Sequence, residues 1–156
     1  MPGTKLQMQA RSSLRIYGTL NAQDVTGGIT ITRQKEDLWK GIIFEGSGSG
    51  SLHGLTISYA DIGITAAADN GIISLNEVKL VGNRTGLDFF TGTLTANNCL
   101  FQSNTAYGVL VEDEIYPAFT KCIFSGNKQH YVDLYGALIE DDVNQYPGGG
   151  GNVFLD

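Results

Sequence analysis

"NCLFQSNTAYGVLV", residues 98–111, and "KCIFSGNKQHYVDL", residues 121–134, share one order of apolar and polar positions. The first half of this pattern occurs four times, at spacings of 23, 21 and 23 residues, beginning at Leu55, Val78, Cys99 and Cys122. The second half occurs five times, at steps of 22, 23, 22 and 23 residues: "GIIF" at 41, "GITA" at 63, "GLDF" at 86, "GVLV" at 108 and "YVDL" at 131. Since two patterns recur in step, the sequence contains an internal structural repeat.

A third apolar column shows how each repeat is built. It runs three residues ahead of the first pattern, at Leu52, Leu75, Ala96 and Phe119. Each repeat therefore holds three short strands, and coils of this kind stack at the usual inter-strand spacing of about 4.8 Å. We predict that residues 1–156 form one all-β domain, a parallel β-helix of about seven coils of 21–23 residues.

The predicted coil also identifies the core and one unusual corner. The Gly/Ser-rich stretch "EGSGSGS", residues 45–51, is interpreted as a corner between strands and not as a flexible linker. The predicted inward ladders are Leu55/Val78/Cys99/Cys122, Ile57/Leu80/Phe101/Phe124, Ile42/Ile64/Leu87/Val109/Val132 and Phe44/Ala66/Phe89/Val111/Leu134.

Two polar columns are interpreted as structural. Asn83, Asn104 and Asn127 each follow a strand at the first corner. Stacked Asn side chains bond along a stack, and Asn suits a corner that needs left-handed geometry. Cys99 and Cys122 occupy one inward ladder, where we expect two free thiols, because parallel Cβ vectors disfavour the disulfide torsion.

The units at 98–111 and 121–134 resemble the right-handed parallel β-helix repeats of the pectin-lyase-like superfamily. The stretches "PGTKLQMQARSSLRIYGTLNAQDVTGGITI" at 2–31 and "LWKGIIF" at 38–44 also resemble the opening coils of bacterial surface proteins of that class. The resemblance implies a right-handed solenoid, a scaffold that carries lyases, hydrolases, adhesins and phage tail proteins. Function is therefore argued from a site and not from the scaffold.

Composition restricts the partners. A net charge of −6 and no Lys/Arg cluster disfavour nucleic acid as a partner. No apolar run approaches the ~20 residues that span a bilayer, so we expect no membrane insertion. Gly-rich repeats with few Cys and Lys favour an extracellular or cell-surface protein. Because the sequence opens inside a coil, we expect it to be a segment of a longer chain whose secretion signal lies elsewhere.

One outward column carries the candidate site. It reads Ile43, Thr65, Asp88, Leu110 and Asp133, and acidic and aromatic residues adjoin it. The candidate polysaccharide-binding residues are Asp88, Phe90, Glu112, Asp133 and Tyr135. A weak Ca²⁺ site is predicted at Asp88, Glu112, Asp113 and Asp133, with an acidic turn kept for solubility as the alternative. Apart from possible Ca²⁺, no cofactor is expected.

Catalytic groups do not converge in the sequence. The resemblance implies that lyases use Ca²⁺ with an Arg or Lys, and that hydrolases use several Asp with a His. No Arg or Lys aligns with the Asp88/Asp133 column, and His53 and His130 are interpreted as surface residues. The leading hypothesis is a non-catalytic module for adhesion or polysaccharide binding. The alternatives are a lyase or hydrolase of uronic-acid polymers and a structural spacer.

Self-association is the other predicted partnership. Uncapped coil ends expose strand edges that template pairing with another chain. Leu100 and Ile123 add an outward apolar strip along one flank. The sequence predicts association either end to end through a terminal coil or side by side through this strip.

Overall fold

The computed structural model describes residues 3–24, 28–112, 116–133, 143–144 and 148–156. These residues form an all-β parallel β-solenoid of about five turns, and they contain no helix. The strands are β1 Thr4–Met8, β2 Ser13–Ile16, β3 Thr19–Gln23, β4 Ile29–Arg33, β5 Gly41–Glu45, β6 Ser49–His53, β7 Leu55–Ser58, β8 Ile62–Asn76, β9 Lys79–Val81, β10 Thr85–Asn97, β11 Leu100–Gln102, β12 Tyr107–Val111, β13 Ala118–Thr120, β14 Ile123–Ser125, β15 Gln129–Asp133 and β16 Val153–Leu155.

Two parallel sheets form the walls of the solenoid. The first contains seven strands in the order β1-β4-β7-β9-β11-β14-β16. The second contains nine strands and follows the path β15-β12-β10-β8-β5-β2, with β3, β6 and β13 beside it. Both β8 and β10 are long strands whose second halves form the third wall by pairing with β6 and β13.

The number of turns is lower than predicted because the end turns are longer than the repeat. In the middle of the chain, Ile42 pairs with Ile64, one repeat later. Near the amino end, however, Thr19 pairs with Ser49, and near the carboxyl end Ile123 pairs with Val153, each across thirty residues. The prediction of about seven coils is therefore wrong, because it divided the whole chain by the spacing of its central repeats.

The core consists of stacked apolar ladders, as predicted for the central turns. Phe101 pairs with Leu80 on one side and with Phe124 on the other, and the two Phe rings stack at 4.8 Å between centroids. Both Phe side chains are fully buried. The complete ladder in register is Leu6/Ile31/Ile57/Leu80/Phe101/Phe124/Phe154.

The predicted register is wrong by one residue in strand β15. Val109 pairs with Tyr131, and Leu110 pairs with Val132, so Tyr131 and not Val132 continues the inward ladder. Tyr131 is fully buried, and its ring meets Phe119 edge to face at 5.4 Å. A large aromatic side chain fills the end of the core better than valine, and its burial decides the register. The predicted inward position of Leu134 lies outside the described residues.

Two columns of left-handed residues form the corners. Gly54, Glu77, Asn98 and Lys121 have φ between 51° and 71°, and so do Tyr59, Gly82, Ser103 and Gly126. The predicted Asn column follows the second of these columns by one residue, so the corner is left-handed as expected, at the residue before each Asn.

The "EGSGSGS" stretch contains the predicted tight corner at residues 46–48, and its last three residues belong to β6. Strand β5 ends at Glu45, and the N–H of Gly48 donates to the Glu45 carbonyl at 3.0 Å. A Cβ on Gly48 would lie 2.2 Å from the carbonyl oxygen of Ile16 in the preceding turn. Close approach between turns therefore requires glycine here.

Candidate functional site

Asp88 is the most unusual polar residue on the middle strands. It lies on β10 between Thr65 and Leu110 of the neighbouring turns, as the predicted outward column requires. Its side chain is nevertheless only 5% exposed, and no hydrogen-bond partner contacts its Oδ1 among the described residues. Burial, together with the nearby charge of Glu112, raises the pKa of Asp88 to about 7. Arg84 opposes this rise but does not cancel it.

Phe90 and Glu112 lie close to Asp88 along the same turns. Strand β12 ends at Val111, which pairs with Phe89. The next residue, Glu112, donates its N–H to the Phe89 carbonyl at 2.8 Å, which places it beside Phe90. Phe90 is 41% exposed. The structure thus brings together three of the five predicted ligand-binding residues: Asp88, Phe90 and Glu112.

Asp133 does not share the column of Asp88. The β15 register pairs Asp133 with Val111, in the column of Phe89, and it places Val132 in the column of Asp88. The predicted alignment of Asp88 with Asp133 is therefore wrong by one position. Asp113 and Tyr135 lie outside the described residues, and so does the acidic run at 140–142. Among the residues that are described, no group of three or more His, Cys, Asp or Glu is placed to hold a metal ion.

The two histidines differ from the prediction in one case. His53 is partly exposed, and its Nε2 lies 3.5 Å from a Glu77 carboxylate oxygen. His130, predicted to be a surface residue, is only 8% exposed. Its Nδ1 lies 3.1 Å from the amide nitrogen of Asn127, and its ring is close to that of Phe154.

The Asn column is a buried hydrogen-bonded ladder, as predicted. Asn104 accepts the backbone N–H of Asn83 at 3.0 Å, and its own N–H donates to the Asn127 side chain at 3.0 Å. Its amide nitrogen also donates to the Leu80 carbonyl at 3.1 Å. Asn83 makes the matching bond to the Ala60 N–H at 2.9 Å. These side chains satisfy backbone groups that a corner leaves unpaired, so their role is structural.

Trp39 and Asn152 also bond through their side chains to backbone groups at corners, at positions that the sequence repeat did not identify. Trp39 pairs with Ala60, which puts it in the Asn column, and its indole N–H donates to the Ser58 carbonyl at 3.0 Å. Asn152 accepts the Cys122 N–H at 2.9 Å and donates to the Phe119 carbonyl at 2.8 Å. Asn152 lies in a turn of thirty residues, where counting by 22 does not find it.

The two cysteines are buried and free, as predicted. The Cys122 thiol donates to the Ala96 carbonyl at 3.5 Å, and the Cys99 thiol to the Leu75 carbonyl at 3.6 Å. The hydrogen bond between the two side chains raises the pKa of Cys99 and lowers that of Cys122. Both side chains are buried and pack inside the core as small hydrophobic groups.

A second surface was not predicted as a site. On the third wall, most buried apolar residues are flanked by two polar residues on the outer side, as in "SLH" at 51–53, "SLN" at 74–76 and "TAN" at 95–97. Ile72 beside Ile73 and Ala118 beside Phe119 are the exceptions. The alternation was visible in the sequence, but only the pairing of β3, β6, β8, β10 and β13 shows that these residues form one continuous surface. We call it the polar face: Asn21, Gln23, Ser51, His53, Ser74, Asn76, Thr93, Thr95, Asn97 and Thr120.

Comparison with protein families, characterised proteins and solved structures gives no match. The described part of the chain has no helix that is long and apolar enough to cross a membrane.

Proposed function

We propose that this domain is a non-catalytic extracellular module for adhesion or polysaccharide binding, and that its solenoid is of the right-handed pectin-lyase-like type. The observation that carries the proposal is the polar face. Its side chains are hydroxyls and amides with one histidine, and none of its ten members is Asp, Glu, Lys or Arg, although the Glu77 carboxylate lies 3.5 Å from His53 Nε2.

The arrangement of the polar face suits an extended, uncharged polymer. Ser51 pairs with Ser74, and Ser74 pairs with Thr95, so hydroxyls stack at about 4.8 Å along the solenoid axis. A second row beside it reads Gln23, His53, Asn76, Asn97 and Thr120. A polysaccharide lying along the axis would present hydroxyls to both rows at regular intervals. Ile72, 66% exposed on the same wall, supplies an apolar contact for a sugar ring.

Binding to an array of neutral and uronic polysaccharides tests the proposal. We expect neutral polymers to bind and Asn97→Ala to weaken binding about tenfold, the effect of losing ~1.4 kcal/mol of hydrogen bonding. Thr56→Ala is the matched control, because Thr56 lies on the outer side of the seven-stranded sheet. Equal loss in both variants, or binding to no glycan, would reject the polar face as the binding surface.

A Ca²⁺ series on the same array tests the residues predicted first. If Asp88, Phe90 and Glu112 form the binding surface, uronic polymers bind in a Ca²⁺-dependent way. Binding is then lost in Phe90→Ala and unaffected by Asn97→Ala. This result would show that the polymer binds the wall around Asp88 and not the polar face.

The second candidate function is a lyase or hydrolase of uronic-acid polymers. One observation favours it: a carboxyl group with a pKa near 7, such as Asp88, suits general acid or base chemistry at neutral pH. Its test is the ultraviolet absorbance of unsaturated product, or release of reducing sugar, from pectate and alginate. Turnover that disappears in Asp88→Asn would establish the enzyme, whereas turnover absent at all Ca²⁺ concentrations leaves the binding module.

A further inference from the structure

The amino-terminal end of the solenoid leaves the apolar core open. Leu6 on β1 is 40% exposed, and the inward residues of β2 and β3 are only partly buried. Equivalent ladder positions in the central turns, such as Leu80 and Phe101, are buried to within 1%. The partly covered inward residues of the first turn are Met8, Leu14, Ile16, Leu20 and Ala22.

Strands β1 and β16 are also the two edges of one sheet. β1 pairs with β4, and β16 pairs with β14; within the described residues neither has a second partner. All pairs in this sheet are parallel. A strand added beside either edge in the same direction could hydrogen-bond to the unpaired N–H and C=O groups of that edge.

The two ends carry the ends of one apolar ladder, and the terminal segments of the sequence differ in charge. The ladder that starts at Leu6 finishes at Phe154, which stacks on Phe124 at 4.7 Å and is partly exposed. Residues 1–40 contain six Lys/Arg and three Asp/Glu, whereas residues 112–156 contain two Lys/Arg and eight Asp/Glu. One end of the sequence is therefore basic and the other acidic.

We propose that copies of this chain stack head to tail along the solenoid axis, with β16 of one copy pairing with β1 of the next. Phe154 then lies against Leu6 of the neighbouring copy, so the ladder continues across the junction. The opposite net charges of the two terminal segments of the sequence favour this orientation over a head-to-head pair, which would bring two basic segments together. Because the two contacting surfaces differ, the assembly is open and grows as a filament.

Sedimentation velocity on the 156-residue chain tests the proposal. We expect the mass to rise with protein concentration beyond that of a dimer, and to fall when salt screens the end charges. Leu6→Lys should stop growth. Lys5→Glu, at an exposed position, should weaken growth without any effect on folding. Ile123→Lys is the control, since this 41% exposed residue lies on the flank and not at an end.

Mixing two blocked variants separates head-to-tail stacking from the other modes. Leu6→Lys retains an intact carboxyl end, and Phe154→Lys retains an intact amino end. Each should be monomeric alone, and their mixture should stop at a heterodimer. Circular dichroism and urea unfolding would test whether both variants are folded.

Several results would overturn the proposal. They are a monomeric wild type at all concentrations, a dimer of Phe154→Lys alone, or loss of association in Ile123→Lys. The last result would instead support the side-by-side mode through the Leu100/Ile123 strip.

Discussion

Replacing Asn104 with Ala should destabilise the solenoid more than its small size suggests. The side chain is 1% exposed and bonds to two backbone groups: it accepts the Asn83 N–H and donates to the Leu80 carbonyl, which also lies in the parallel ladder between β9 and β11. Leaving the buried Asn83 N–H without a bond costs about 1–3 kcal/mol, so we expect a loss of about this size in the free energy of unfolding.

Urea unfolding followed by circular dichroism measures this loss from the shift in midpoint at constant slope. Asn97→Ala is the matched control, because Asn97 is exposed on the outer side of β10, and it should change stability by less than about 0.5 kcal/mol. Asn104→Asp separates the two bonds, since the carboxylate still accepts the Asn83 N–H but does not donate to Leu80. An Asn104→Ala variant within about 1 kcal/mol of wild type would refute the role assigned to the ladder.

Three further predictions concern packing and charge. Phe101→Ala should lower the free energy of unfolding by about 3–5 kcal/mol because it opens a cavity between fixed turns, whereas Phe90→Ala, at a 41% exposed position, should have little effect. Equal thermal midpoints for the two variants would contradict the buried position of Phe101 in the core. Gly86→Ala should lower the free energy of unfolding, measured with urea, by at least about 1 kcal/mol, because a Cβ there would lie 2.5 Å from a carbonyl oxygen of the next turn. The control is Gly18→Ala, whose Cβ would meet no atom within 4 Å, and a similar loss of stability in both variants would rule out this clash. Since the pKa of Asp88 is raised from 3.8 to about 7, the folded state keeps a proton that the unfolded state releases, and stability should fall as pH rises between these values. Asp88→Asn should remove that fall in stability, and an unchanged pH profile in this variant would show that Asp88 is not its source.

The central turns could be predicted from the sequence because their period is nearly constant. Each turn there repeats three apolar positions at a step of 21 to 23 residues, and one inward residue lies over the next. The prediction failed where the period changes. The thirty-residue steps from Thr19 to Ser49 and from Ile123 to Val153 have no counterpart in the central repeats, so the turns were overcounted.

The candidate site was harder to predict than the fold. Column assignment placed Asp88 correctly between Thr65 and Leu110, yet it gave no information on burial, and Asp88 proved to be almost completely covered. Asp133 was misplaced because Gly108 was aligned with Tyr131, whereas Gly108 stacks on His130. A one-residue shift moves every side chain of a strand to the other face, so one misaligned corner changed the whole predicted acidic column.

The Asn ladder has a consequence for how the chain can change in length. Asn83 and Asn104 make equivalent bonds one turn apart, each to a backbone N–H and a carbonyl of the turn before. Deleting residues 83–103 would join Gly82 directly to Asn104, which would then meet Ala60 and Ile57 in place of Asn83. The same reasoning applies to insertion of one such segment. Gene duplication or deletion in whole turns can therefore shorten or extend this protein while the Asn corner keeps its bonding.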